Sequence, residues 1–235
     1  MMSRPLTEAL EEAFRHCRDM EASLAERLDS FAQAVRTLSP PFADGVDRLV
    51  TRLQQSGAGQ NAPHVGERMP PFHLPDETGR VISLDRLLSK GPVAVTFHRG
   101  HWCPYCRLNT KALAQAQTEI EGEGCQIVAI MPDRQQFAEK FKSESQARFP
   151  ILTDMDNGYA LSLNLVIWIG AEMERMISAA GRDIPSYQGN RSWMLPIPAT
   201  FVVGTDGKVK ARFVDPDYRK RMAIEHMIEA LRNAR

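Results

Sequence analysis

The sequence predicts an α/β fold: a mixed central sheet covered by helices on both faces, with a helical N-terminal extension. Three observations carry this. From His64 onward, short apolar runs alternate with amphipathic stretches. The last two runs face each other across a turn at Asp206–Gly207, which implies an antiparallel hairpin. Before residue 61 the apolar residues recur instead at helical spacing. The expected organisation is therefore an extension over residues 1–60 and an α/β domain over 61–235.

In the extension, Leu10, Phe14, Cys17, Leu24, Leu28, Phe31, Val35 and Leu38 form a seam spaced alternately by four and three residues. One long helix from Thr7 to about Leu38 is expected, with Glu21 interrupting the seam and Ser39–Pro41 stopping the helix. A second helix is expected over Asp44–Gln55, with Val46, Leu49, Val50 and Leu53 on its apolar side. The stretch "SGAGQNAP" then reads as a linker. These helices either pack as a hairpin on their own domain or serve as a homodimerisation arm.

In the domain, "FHLPDETGRVISL" reads as a hairpin turning at Asp76–Gly79. Val93–His98, Cys125–Met131 and Phe149–Asp154 read as buried strands. Helices are expected over Cys106–Glu121, Gln135–Gln146 and Arg219–Arg232. Between the third strand and the final hairpin lies an insert, Trp168–Trp193. Met173, Met176 and Ile177 give it helical spacing, so it packs on the core or forms a wall of a cleft. Tyr187, Asn190, Arg191 and Trp193 follow closely enough in sequence to approach any site there.

Hydrophobic content of 43% and charged content of 25% are globular values, and the chain is long enough to bury a core without metals or disulfides. The formal net charge is zero and no dense Lys/Arg run appears, which argues against nucleic acid as a partner. No apolar run approaches membrane-spanning length, and the N-terminus lacks an apolar leader. The expected location is cytoplasmic, where thiols stay reduced.

That expectation bears on "FHRGHWCPYCRLNT", residues 97–110, which holds Cys103 and Cys106. Zinc needs four ligands and this motif offers two thiols, with His98 and His101 too close along the same segment. A structural disulfide is disfavoured in a reducing compartment. The remaining reading is redox. The pair follows a buried strand and opens a helix, whose N-terminal N–H groups and dipole stabilise a thiolate. Arg99 and Arg107 add positive charge, Pro104 suits a first helical turn, and Trp102 supplies an apolar wall. His101 is either a base tuning a thiolate or a solvated loop residue. Cys17 and Cys125 read as core residues. No glycine-rich phosphate loop is present, so no cofactor is implied.

Four stretches resemble the AhpC/TSA (alkyl hydroperoxide reductase and thiol-specific antioxidant) family, within the thioredoxin-fold suprafamily: "VGERMPPFHLPDETGRVISL", "FHRGHWCPYC", "LPIPATFVV" and "FVDPDYRKR". The resemblance runs from about Val65 to Leu231. It implies a thioredoxin-like fold and an antioxidant oxidoreductase cycling Cys103 and Cys106 through a redox-active disulfide. It also implies a cis-proline at Pro198, with Ile197 and Thr200 flanking the site, and a thioredoxin-type reductant as partner. The chain departs from the family in three places. Aligned on Phe97, Cys106 takes the peroxidatic position, and Cys103 stands where peroxiredoxins carry threonine. Pro198 stands where they carry an arginine, a role left to Arg99 or Arg107. Thr96 replaces the buried aspartate of thioredoxins. The substrate is accordingly a peroxide, struck first by Cys106, or a disulfide, struck first by Cys103. A third reading is a redox-sensing module without turnover.

Overall fold

The computed structural model describes residues 6–234; the expected extension's first five residues lie outside them. The chain opens with helices α1 (Leu6–Asp19), α2 (Leu24–Leu38) and α3 (Pro40–Gln55). The expected single long helix is thus two. Ser23 starts α2 with a capping box, its hydroxyl accepting from the Glu26 amide while the Glu26 carboxylate accepts from the Ser23 amide at 2.8 Å. These bonds satisfy amides that a continuing helix would have used, so the chain breaks after Asp19 at the Glu21 defect. Pro40 and Pro41 begin α3 rather than merely ending α2, because proline has no N–H to lose in a first turn.

The hairpin β1 (His73–Pro75) and β2 (Val81–Ser83) follows, with its turn held by Asp76. A short helix, α4 (Leu84–Leu88), leads to strand β3 (Val93–Phe97), helix α5 (Pro104–Gly122) and strand β4 (Gln126–Met131). Next come α6 (Gln135–Ser145), β5 (Ile151–Thr153), a 3₁₀ turn at Met155–Asn157 and α7 (Gly158–Ser162). The insert supplies β6 (Val166–Trp168), α8 (Ala171–Ala179), α9 (Ile184–Gln188) and β7 (Met194–Pro196). The chain closes with β8 (Ala199–Val203), β9 (Val209–Val214) and α10 (Ile224–Arg232). The last helix begins five residues later than expected; residues 219–223 run without helix.

The main sheet has the order β5-β4-β3-β8-β9, parallel on one side of β3 and antiparallel on the other. Side chains alternate along each strand. Val93, Val95 and Phe97 enter one core with Val128, Ile130, Phe201 and Val203. Ala94 enters the other with Ile127, Ala129, Met131 and Val202. Both faces are therefore covered, as the near-continuous apolar strands demand. No peptide bond among the described residues is cis, so the expected cis-proline at Pro198 is trans. A trans bond keeps the chain extended between β7 and β8, where the Ile197 amide donates to the Leu165 carbonyl at 2.7 Å.

The helical arm packs on its own chain. Phe14, Cys17, Leu28, Phe31, Val46 and Leu49 are buried in the same core cluster as Cys106, Leu108 and Leu113 of α5. Phe31 sits edge-on to Phe14 and to Tyr105, with ring centroids 6.4 and 5.2 Å apart. Arg27 donates to the Gln115 side chain of α5, and Arg107 of α5 reaches Glu11 of α1. The middle of the seam, from Phe14 to Phe31, is occupied within the chain, while Leu38 is exposed. The insert joins the arm: Arg48 of α3 pairs with Glu172 of α8, and the Met176 sulfur lies 2.7 Å from where a Cβ on Gly45 would stand. A side chain at position 45 would force the Met176 side chain to move.

Because arm and sheet share one core, Phe31→Ala is expected to lower stability of the whole chain by about 3–5 kcal/mol. Urea unfolding followed by circular dichroism and by Trp fluorescence should shift as one transition. Two separated transitions would show that the arm unfolds on its own.

Candidate functional site

Strand β3 ends at Phe97, and six residues carry the chain from it into α5. His98 still donates to the Ile130 carbonyl, which fixes the start of this turn to the sheet. Gly100 has φ +141°. A Cβ there would lie 2.5 Å from Trp102 Nε1 and 2.6 Å from Asp133 Oδ1, so only glycine fits. The His101 amide donates to Asp133 Oδ2 at 2.8 Å, pinning the turn to the end of β4. Cys103 is the N-cap of α5 and Pro104 its first residue. The spacing of three places Cys106 one turn further on, on the same helix face.

Both thiols are free and buried, 1% and 0% exposed. Cys106 Sγ accepts from the Arg99 amide at 3.3 Å and from Arg221 Nη2 at 3.4 Å. The Arg99 guanidinium lies over the Tyr218 ring, 3.8 Å from its centroid, and 5.0 Å from that of Trp102. Two aromatic faces thus hold this cation, which has no carboxylate partner among the described residues. The two sulfurs differ in consequence. Burial pushes the Cys103 thiol up, but the Cys106 hydrogen bond and the Arg99 and Arg221 charges outweigh it, pulling Cys103 down to about 6. Burial, the bond to Cys103 and the Cys103 charge all push Cys106 up, to about 12. The pair titrates as a unit, and its first proton leaves near Cys103.

Asp133 adds a second perturbed group. Burial, with the Cys106 charge in support, pushes its carboxyl up to about 7 against the opposing His101 amide. Its Oδ1 and the Trp102 indole N–H have no hydrogen-bond partner. Each lies within 2.6 Å of the vacant Cβ position at Gly100.

The expected residues divide. Cys103, Cys106, Trp102, Pro104 and Arg99 come together. Pro198 and Thr200 are buried beside β3, Thr200 opposite Thr96 in register, but neither lines the opening above Cys103. His101 is buried and so is not a solvated loop residue. Its ring stacks on Phe137 and its Nε2 meets Glu144 Oε2 at 3.0 Å, and burial holds its pKa below the ordinary value. Arg107 points away from the pair, lying over Phe14 and pairing with Glu11 and Glu144. Tyr187 packs on Phe137 and Asn190 bonds Asp156, so the end of the insert turns elsewhere.

Three contributors escaped sequence reasoning: Arg221, Tyr218 and Asp133. The first two belong to "FVDPDYRKR", a stretch legible as a motif but not as part of the site. Asp217 and Asp47 both bind Arg219, which ties that stretch to α3 and directs its neighbours inward. Asp133 gave no signal beyond an acid at a strand end. Among the described residues, no group of three or more His, Cys, Asp or Glu is arranged to hold a metal, and no helix is long and apolar enough to cross a membrane.

Residues 65–212 match the family model described as the AhpC/TSA family. A 1-Cys peroxiredoxin PER1 of Triticum aestivum is 26% identical over 159 residues, covering 65% of this chain and 64% of that one. A putative peroxiredoxin bcp of Helicobacter pylori is 32% identical over 96 residues, covering 41% and 62%. The chain thus spans less than two thirds of the length of either relative. Among solved structures, peroxidoxin BcpB from Mycobacterium tuberculosis superposes with a TM-score of 0.57 at 23% identity, covering 74% of this chain and 99% of that one. A peroxiredoxin-like protein from Aquifex aeolicus gives 0.57 at 13% identity, covering 74% and 89%. These neighbours share the thioredoxin-like fold.

The two cations make a checkable prediction. Alkylation of Cys103 by iodoacetamide should rise with pH through about 6 and level off above it, because the thiolate fraction is then complete. Replacing Arg221 by Leu removes one of the charges that favour the thiolate. The midpoint should move up by roughly one unit or more, read as thiolate absorbance at 240 nm. An unmoved midpoint would mean that Arg221 does not stabilise the charge.

Proposed function

The chain belongs to the AhpC/TSA family, and from that premise we propose that it is a thiol peroxidase in which Cys103 attacks and Cys106 resolves. The observation that carries this reading is the opposed tuning of the two thiols, with Cys103 ionised near neutrality and lining the cavity above it. The reading reverses the order that alignment on Phe97 implies. The names of the relatives, all peroxiredoxins among those compared above, support the peroxidase class.

The Cys103 thiolate attacks the distal oxygen of a hydroperoxide. The S–O bond forms as the O–O bond breaks, and the leaving alkoxide or hydroxide takes a proton. Cys103 is then a sulfenic acid and the peroxide has become an alcohol or water. Arg99 and Arg221 supply positive charge where negative charge moves from sulfur to oxygen. The Cys106 sulfur next attacks the Cys103 sulfur. The disulfide forms as the S–O bond breaks, and the Cys106 proton goes to the departing hydroxide, which leaves as water. Asp133, buried with its carboxyl near 7, is suited to take that proton from the thiol and pass it on. A thioredoxin-type dithiol resets the pair by exchange, which suits a reducing compartment such as the cytoplasm.

Dithiol exchange on protein disulfides is the second reading, because a CxxC pair serves it equally well. The 1% exposure of Cys103 beneath the arm disfavours it, since a folded protein's disulfide has to reach the sulfur.

Stopped-flow Trp fluorescence of the reduced protein mixed with hydrogen peroxide tests the assignment, with Trp102 as reporter. Fast oxidation should vanish in Cys103→Ser. In Cys106→Ser it should persist and stop at a sulfenic acid that dimedone traps. The opposite pattern would give the attack to Cys106. A wild type no faster than a free thiol would remove the peroxidase reading altogether.

A further inference from the structure

The alternation along β3 that sends Ala94 into the cluster holding Cys106 sends Thr96 and His98 toward the same side of the sheet. His98 stands one residue past the strand but keeps its geometry, because its amide still donates to the Ile130 carbonyl of β4. Its ring is fully buried and lies edge-on to Phe141, with centroids 5.6 Å apart. The next residue, Arg99, donates its amide to Cys106 Sγ at 3.3 Å. The ring therefore stands beside the sulfur that has to lose a proton in the resolving step.

Hydrogen bonds fix which ring nitrogen carries the proton. The Thr96 hydroxyl lies 3.1 Å from the Val128 carbonyl and 3.0 Å from His98 Nε2. A carbonyl only accepts, so the single hydroxyl proton goes to Val128, and Nε2 has to donate to the hydroxyl oxygen. The lone pair is left on Nδ1. That atom is buried and finds no nitrogen or oxygen partner among the described residues. Its partner is a sulfur. Burial, the bond to Cys103 and the Cys103 charge raise the Cys106 thiol, while Arg221 and a hydrogen bond to His98 work against them. Asp133 makes no such bond among the described residues: its Oδ2 accepts from the His101 amide and its Oδ1 has no partner.

We propose that His98 is the base of the resolving step: Nδ1 takes the proton directly from Cys106 Sγ, and Thr96 holds the ring in the tautomer that can do so. This rests on the peroxidase reading with Cys103 attacking. The Cys106 S–H bond breaks as the Nδ1–H bond forms. The S–S bond forms as the S–O bond at Cys103 breaks. The proton then continues, with Asp133 as carrier, to the departing hydroxide, which leaves as water, and the ring returns to its starting tautomer. A thiol pushed up to about 12 does not ionise unaided near neutrality, so a base in contact with it is what lets it attack.

Stopped-flow Trp fluorescence separates the two steps. Sulfenic acid formation scales with hydrogen peroxide concentration, and disulfide formation does not. The variants are His98→Gln, which keeps a donor for Thr96, and His98→Asn, which keeps a hydrogen-bonding group toward the sulfur. Neither side chain takes a proton. Both should leave the first phase within about twofold of wild type and slow the second about a hundredfold or more, the usual worth of a general base. Dimedone should trap the sulfenic acid in both. Thr96→Val, which frees the ring to take the other tautomer, should slow the same phase alone, and by less. An unchanged second phase in either His98 variant would overturn the proposal, and in His98→Asn it would reduce the ring to a hydrogen-bonding partner. Equal slowing of both phases would overturn it too, as a merely structural role. A wild type with no fast first phase would remove the peroxidase reading, and the proposal with it. If circular dichroism shows one His98 variant unfolded, the other carries the test.

Discussion

A thiolate buried at 1% exposure exists only where the surroundings replace the water it has lost. Here the replacement is two arginines from opposite ends of the domain. Arg99 comes from the turn after β3, and Arg221 from the stretch before α10. Among the described residues neither pairs with a carboxylate. Arg99 is held instead by the rings of Tyr218 and Trp102. Most other features of the molecule serve this arrangement. The sheet places β3 between β4 and β8, the side-chain-free position at Gly100 lets Trp102 and Asp133 converge, and the Asp47–Arg219–Asp217 cluster anchors the segment bearing Tyr218 and Arg221.

The same arrangement separates the two cysteines. They sit one helical turn apart and both feel Arg221, yet only Cys103 lines the cavity. A proton on Cys106 stabilises charge on Cys103, and charge on Cys103 keeps the proton on Cys106. The asymmetry arises from the pair and from unequal surroundings, since the Arg99 charge acts on Cys103 while Cys106 lies beneath it.

Much of this was legible in the sequence. The strands of the domain were visible because buried parallel strands read as continuous apolar runs, and Val93–Phe97 and Gln126–Met131 do. The Cys103–Cys106 pair declared itself by its spacing after a strand. The arm's helices were visible, but their break was not: a heptad reading continues through Glu21, whereas Ser23 and Glu26 cap a new helix there. The proline at 198 was expected to be cis by family likeness, which carries no information about the trans bond that the register of β7 and β8 favours. Arg221 and Asp133 were hidden for a general reason. Each lies far along the chain from Cys106, and a local pattern cannot report a contact made by folding. His101 and Arg107 failed in the opposite way: both are close in sequence, but Glu144 draws their side chains to the outer side of α5.

The one-turn separation of the cysteines has a consequence for timing. A disulfide needs its Cα atoms within about 4.4–6.8 Å, and residues three apart at a helix start already meet that requirement. Closing the bond calls for side-chain rotation and no unwinding of α5. The oxidised and reduced forms then share one backbone, so the cycle carries no conformational clock. In the proposed cycle no refolding of α5 separates the dithiol from the disulfide, so the arm packed on that helix keeps its footing in both.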